Sequence, residues 1–108
     1  MDEKTADALD KLVMALKAFT KSVQKNFHMG MYDGTGEMLI RQYNGLLNKA
    51  RQLLPHNFFV HGILDLEQIK ENTEDEKAIS QIMIMSHQLL AYLQSVIENE
   101  QSYEAQHG

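Results

Sequence analysis

An arginine and a histidine five positions apart are the residues whose types and spacing most directly indicate chemistry. The segment 51–56 begins with Arg51 and ends with His56, and it lies at the end of a predicted helix. Histidine exchanges protons near neutral pH, and arginine binds a phosphate through parallel hydrogen bonds. The pair would suit acid–base chemistry on a phosphodiester. The structural alternative is an arginine that satisfies carbonyl groups at the C-terminus of its helix.

The Arg-x4-His spacing resembles the motif of HEPN-family ribonucleases, which are small helical bundles that often pair two motifs across a dimer. The resemblance covers only residues 51–56. It implies that Arg51 binds phosphate and that His56 is the acid–base group, so both would be catalytic. Gln52 stands where a small polar or acidic residue is common, and the apolar residues 53–55 are further departures. RNA is an expected partner only under this alternative.

Five histidines and seven methionines raise the question of a metal site. A ferritin-like di-iron site needs two Glu-x-x-His pairs, and the chain has one, Glu104 to His107. Met83 and Met85 point about 200° apart on a helix and cannot share one ion. We therefore expect no metal and no cofactor, with His87 as a hydrogen-bonded structural histidine. No spacing signature aligns the other histidines, but the fold could bring together His28, His56, His61 and His87.

The segment from His28 to Gly36 contains three glycines and predicts a turn with positive φ angles. It lacks the spacing of a P-loop and the alternating acids of a calcium loop. A connector is the simpler interpretation. A small-ligand or metal carrier that uses residues 28–32, including the pair Met29 and Met31, is the third functional hypothesis.

Composition predicts one globular domain of 108 residues, with 44% hydrophobic and 23% charged residues and a net charge of −5. Residues 1–56 carry eight basic and six acidic residues (+2), and residues 57–108 carry two and nine (−7). No basic stripe supports DNA binding. The absence of cysteine fits a reducing compartment, and the acidic start lacks a signal-peptide pattern. We expect a cytoplasmic protein with no membrane partner.

Apolar periodicity predicts an all-α, up-down-up bundle of three long helices. The predicted helices cover residues 5–27, 37–54 and 74–101, and Pro55 ends the second. Residues 57–71 should cross one end of the bundle, with Phe58 or Phe59 plugging it and a short helix over 65–71. A capping box, Thr73 to Glu76, should start the third helix. Residues 98–108 should form a fraying polar tail.

The stretch Ala78 to Ile97 contains no charged residue and predicts the central helix. Its apolar side chains cover an arc of about 180°, wider than the stripe of an ordinary surface helix. Six of its seven serine, glutamine and histidine residues share the other face, which argues against a membrane span. The first hypothesis is therefore a non-catalytic interaction or assembly module that binds itself as a homodimer or binds another protein. The expected interaction face comprises Met83, Met85, Tyr92 and Val96.

Overall fold

A computed structural model describes the backbone of residues 1–30, 34–63 and 66–107, and the side chains of 1–30, 34–62 and 66–100. Across these ranges the protein is an all-α bundle, as predicted. The three long helices are α1 (Glu3–His28), α2 (Gly36–Leu53) and α3 (Asp75–His107). A single π-helical turn, Phe59–Ile63, lies in the connector, which we define as residues 54–74.

The helix boundaries follow from local chemistry. Asp2 caps α1 by accepting a 2.6 Å hydrogen bond from the Thr5 N–H. Hydrogen bonding from the Thr5 side chain, and then from the Thr5 N–H, lowers the pKa of the Asp2 carboxyl. The last helical residue of α2 is Leu53, two positions before Pro55. At the start of α3 the Ala78 N–H donates to the Glu74 carbonyl at 2.8 Å. Glu74 therefore holds the N-cap position that the sequence assigned to Thr73.

The path of the chain differs from the predicted up-down-up order, because α3 runs parallel to α2. The Gly34 N–H donates to the Asp75 carboxylate at 3.0 Å, which places the start of α3 beside the start of α2. The amino group of Met1 lies 3.7 Å from the Glu100 carboxylate, which places residue 100 beside the start of α1. The order is up-down-down, and the connector carries the chain back along α2.

The length of the connector makes this path possible. The 18 residues of α2 span about 27 Å at 1.5 Å per residue. An extended chain covers that distance in roughly nine residues, at about 3.3 Å each. A helix over residues 65–71 would shorten the reach, but residues 66–70 have no regular secondary structure. The predicted short helix is thus replaced by the earlier π-helical turn, and Asp65 lies outside the described residues.

One core runs between the three helices. Its fully buried centre includes Leu9, Leu16, Val23, Ile40, Tyr43, Leu47, Ile79, Ile82, Leu89 and Leu93. Gly36 is buried where α2 meets α3, and a Cβ added there would lie 3.1 Å from the Asp75 Cα. Only glycine permits that approach.

The helix α3 continues to His107, past residue 101 where the sequence predicted its end. Fraying after residue 98 stays a prediction. The side chains of Glu104 and His107 lie outside the described residues. Among the described residues, no helix has the length and apolarity needed to cross a bilayer.

Candidate functional site

Four polar residues on α2 hold the connector in place, and we call them the polar stripe. Their spacing of three, four and three residues puts them on one face of the helix. They are Arg41, Asn44, Asn48 and Arg51. They bond to progressively earlier connector residues as α2 proceeds: Glu71, Ile69, Gln68, and then Leu66 and Val60. The stripe therefore fixes an antiparallel alignment of connector and helix.

Asn44 makes the most specific of these contacts. Its Nδ2 donates to the Ile69 carbonyl and its Oδ1 accepts from the Ile69 N–H, both at 2.9 Å. One side-chain amide thus satisfies both backbone groups of a buried residue, which prevents the cost of leaving them unpaired. Ile69 and Leu66 are buried apolar anchors on the same segment.

The two ends of the stripe differ in exposure. Arg41 is exposed and pairs with Glu71 (3.1 Å) and Glu37 (2.7 Å). The bond to Glu71, and then the charges of both carboxylates, raise the pKa of the Arg41 guanidinium. Arg51 is half-buried; its Nε donates to the Val60 carbonyl at 3.2 Å and its Nη2 to the Leu66 carbonyl at 2.6 Å. Arg51 therefore joins the two halves of the connector, namely the turn at residues 57–62 and the segment 66–71.

The structure gives different surroundings to the two candidate catalytic residues. The Arg51 guanidinium is committed to connector carbonyls, a role close to the structural alternative for this residue. His56 is exposed and lines a groove of about 460 Å³ at the end of the bundle, together with Leu54, Pro55 and Val96. Arg51 does not line that groove. The ribonuclease hypothesis stays a prediction, and these contacts give it no direct support.

The prediction that Phe58 or Phe59 plugs the bundle is wrong. The two side chains are 71% and 45% exposed, whereas Val60 is fully buried. The cause lies in Asn57, whose Oδ1 accepts the Val60 N–H at 3.0 Å and whose Nδ2 donates to the Tyr92 hydroxyl at 2.7 Å. These bonds orient the turn so that Val60 enters the core and the phenylalanines face outwards.

Phe58, Phe59 and Tyr92 form what we call the aromatic patch. The rings of Phe59 and Tyr92 have centroids 5.4 Å apart and are tilted by 32°, a separation within the range of favourable aromatic pairs. Phe58 is the most exposed large apolar side chain in the described part of the protein. The sequence predicted Tyr92 as a contact residue and missed the two phenylalanines.

The predicted interaction face is divided between two flanks of α3. Met85, Tyr92 and Val96 are half-buried along the flank that faces the connector, which we call the connector edge. Met83 is also half-buried but points about 200° away from Met85. Ile84, which is not part of the expected interaction face, is 61% exposed and lines a groove with Met85.

The histidines have separate environments. The Nδ1 of His87 lies 2.7 Å from the Met83 carbonyl oxygen, consistent with the predicted hydrogen-bonded role, although the side chain is exposed. The Nε2 of His61 lies 3.1 Å from the Leu54 carbonyl oxygen. The ring of His28 packs edge-on against Phe27. Among the described residues, no three histidine, aspartate or glutamate side chains gather to hold a metal.

The predicted turn between α1 and α2 is confirmed at two glycines, since Gly30 and Gly34 have positive φ angles of 67° and 79°. Residues 31–33, which include Met31 and Tyr32 of the proposed carrier loop, lie outside the described residues.

One buried polar atom remains without a partner in the described structure. The Tyr43 side chain is fully buried in the core, and its hydroxyl makes no hydrogen bond. Burial raises the pKa of Tyr43 to about 12, because the phenolate cannot be solvated there. Tyr43 lines none of the grooves described above.

Comparison with protein-family models, curated proteins and solved structures found no match.

Proposed function

We propose that this protein is a non-catalytic helical interaction module that forms a homodimer through the connector edge, with the aromatic patch at the centre of the contact. The observation that carries the proposal is the exposure of Phe58 and Phe59 beside Tyr92. Large exposed aromatic side chains are enriched in protein interfaces and dominate their binding energy.

Hydrogen bonds beneath the aromatic patch hold its residues in one arrangement before any partner binds. Asn57 holds both the turn and Tyr92, and Arg51 holds the Val60 carbonyl. A surface that is already ordered loses little conformational entropy on association. Half-buried Met85 and Val96 extend the apolar surface along α3 on either side of Tyr92. A two-fold contact would place the patch of one protomer against that of its partner.

The alternatives have less support from the geometry. A ribonuclease needs Arg51 free to bind phosphate, and its guanidinium donates to two carbonyls. A ligand carrier would use residues 28–32, whose exposed His28 and Met29 form no described cluster with other ligating side chains. The cysteine-free sequence fits a reducing compartment, so the cytoplasm stays the proposed location.

Light scattering tests the proposal on the unmodified protein. We expect a molar mass of twice 12.4 kDa at high concentration, falling towards 12.4 kDa over a roughly hundredfold dilution. A mass of 12.4 kDa throughout would reject the homodimer and leave a heterologous protein as the occupant of the patch.

A further inference from the structure

The backbone of residues 66–70 has one side facing α2 and one side facing away. Ile69 bonds to Asn44 through both its N–H and its carbonyl. A trans peptide bond points its carbonyl and its N–H in opposite directions, so the Gln68 carbonyl is directed opposite to the Ile69 N–H, and the Lys70 N–H opposite to the Ile69 carbonyl. The carbonyl of Gln68 and the N–H of Lys70 therefore point away from α2. Within the described structure, neither of these two groups makes an intramolecular hydrogen bond.

A groove of about 510 Å³ lies on that side of the segment, between the connector and α3. No residue of α2 lines it. Exposed Ile84 and half-buried Met85 supply an apolar surface on the α3 wall. We call this the upper groove.

The charge of the upper groove differs from that of the whole protein. Its lining contains two lysines, Lys70 and Lys77, and one acid, Glu67, whereas the chain carries a net charge of −5. The two lysines of the lining are cations that can pair with carboxylates of an occupant, which favours an acidic occupant.

We propose that the upper groove binds an extended acidic peptide segment of another protein. The segment adds as a strand beside Gln68 and Lys70, rests an apolar side chain on Ile84 and Met85, and places a carboxylate near Lys77. A helix satisfies its own backbone and would leave the outward groups of Gln68 and Lys70 unpaired, whereas an extended segment pairs with them. This site contains no residue of the aromatic patch and shares only Met85 with the connector edge, and it does not depend on the homodimer.

A random peptide library displayed on phage is the probe, with the full chain as bait. We expect enriched sequences that alternate apolar and polar residues and carry Asp or Glu. A synthetic peptide of the enriched sequence should bind about tenfold more weakly to the separate variants Ile84→Glu and Lys77→Glu. It should also slow hydrogen exchange at the Lys70 amide of the unmodified protein. Met14→Glu, a change at a 70% exposed residue on α1, is the matched control and should bind normally.

Two outcomes would overturn the proposal. One is a library in which no sequence is enriched on the unmodified protein relative to Ile84→Glu. The other is a bound peptide that leaves exchange at the Lys70 amide unchanged, which would show a helical or distant binding mode. Circular dichroism confirms that the variants are folded, as expected because Ile84 and Lys77 are exposed. Light scattering on the same samples reports the homodimer separately.

Discussion

The two halves of the connector are treated in opposite ways by the bundle. Residues 66–71 are fixed to α2 by Asn44 and its neighbours in the polar stripe, with Leu66 and Ile69 buried. The turn at residues 57–62 buries only Val60 and leaves Phe58 and Phe59 exposed. Residues 57–62 thus present apolar side chains at the surface, whereas the backbone of residues 66–71 is hydrogen-bonded to α2. The comparison separates residues that build the fold from residues that are free to bind.

Arg51→Ala should have the largest effect on stability, because Arg51 bonds to both halves of the connector. The change leaves the carbonyls of Val60 and Leu66 without their charged donor. We expect the free energy of unfolding to fall by about 3 kcal/mol, measured by urea denaturation.

Lys49→Ala is the control for Arg51→Ala. It removes an exposed cation from the same helix and should change stability by less than about 0.5 kcal/mol. Under the ribonuclease alternative, Arg51→Ala would instead abolish RNA cleavage and keep the stability of the unmodified protein. That result would contradict the structural role assigned here.

Asn44→Ala should destabilise the second half of the connector alone. It removes both hydrogen bonds to Ile69, and we expect a loss of about 2 kcal/mol in the free energy of unfolding. Hydrogen exchange should accelerate at the Ile69 amide, which Asn44 protects, more than at the buried centre of α1. Asn48→Ala, which removes a single bond to exposed Gln68, is the matched control and should cost less. Equal losses for the two variants would argue against a dominant contact at Ile69.

Tyr43→Phe measures how much the unpaired Tyr43 hydroxyl, on the core side of α2, lowers the free energy of unfolding. We expect a gain of about 1 kcal/mol at neutral pH, since the hydroxyl has no partner among the described residues. The pKa is raised to about 12 in the folded protein and is near 10 when unfolded. The unfolded state therefore loses this proton first, and stability falls as the pH rises from 10 to 12.

The pH dependence provides a second check on Tyr43. The stability difference between Tyr43→Phe and the unmodified protein should widen between pH 10 and 12. Thermal unfolding at each pH measures this difference. A constant difference would show that the Tyr43 hydroxyl is solvated or paired in solution.

Phe58→Ser should have the smallest effect on stability. The side chain is exposed, so we expect a change of less than about 0.5 kcal/mol in the free energy of unfolding of the monomer, measured at low concentration. A loss near that of Asn44→Ala would mean that Phe58 supports the fold and would erase the distinction between the two halves.

The helices could be predicted from the sequence because their apolar residues recur with helical spacing, as at Leu9, Leu12 and Leu16. The predicted limits of α1 and α2 lie within two residues of those observed. The direction of α3 could not be predicted, because it depends on the connector being extended. A helix over residues 65–71 would have been too short to return along α2.

The candidate site was predicted only in part. The apolar arc identified Met85, Tyr92 and Val96, which lie on the connector edge. The apolar composition of residues 57–64 predicts that Phe58 or Phe59 plugs the end of the bundle, whereas the bonds of Asn57 direct both rings outwards. The polar stripe was visible as a helical spacing of Arg and Asn, but a solvent-exposed helix face has the same pattern. Periodicity alone does not distinguish a stripe that binds the connector from one that meets water.

The dissociation constant of the homodimer, measured by sedimentation equilibrium for Phe58→Ser and for the unmodified protein, tests the central claim most directly. We expect Phe58→Ser to weaken association by at least about tenfold, because an exposed aromatic side chain at the centre of the contact is lost. Met14→Ser, an equally exposed apolar change on α1, should leave association unchanged. Equal dissociation constants for Phe58→Ser and the unmodified protein would contradict the assignment of the aromatic patch as the contact surface.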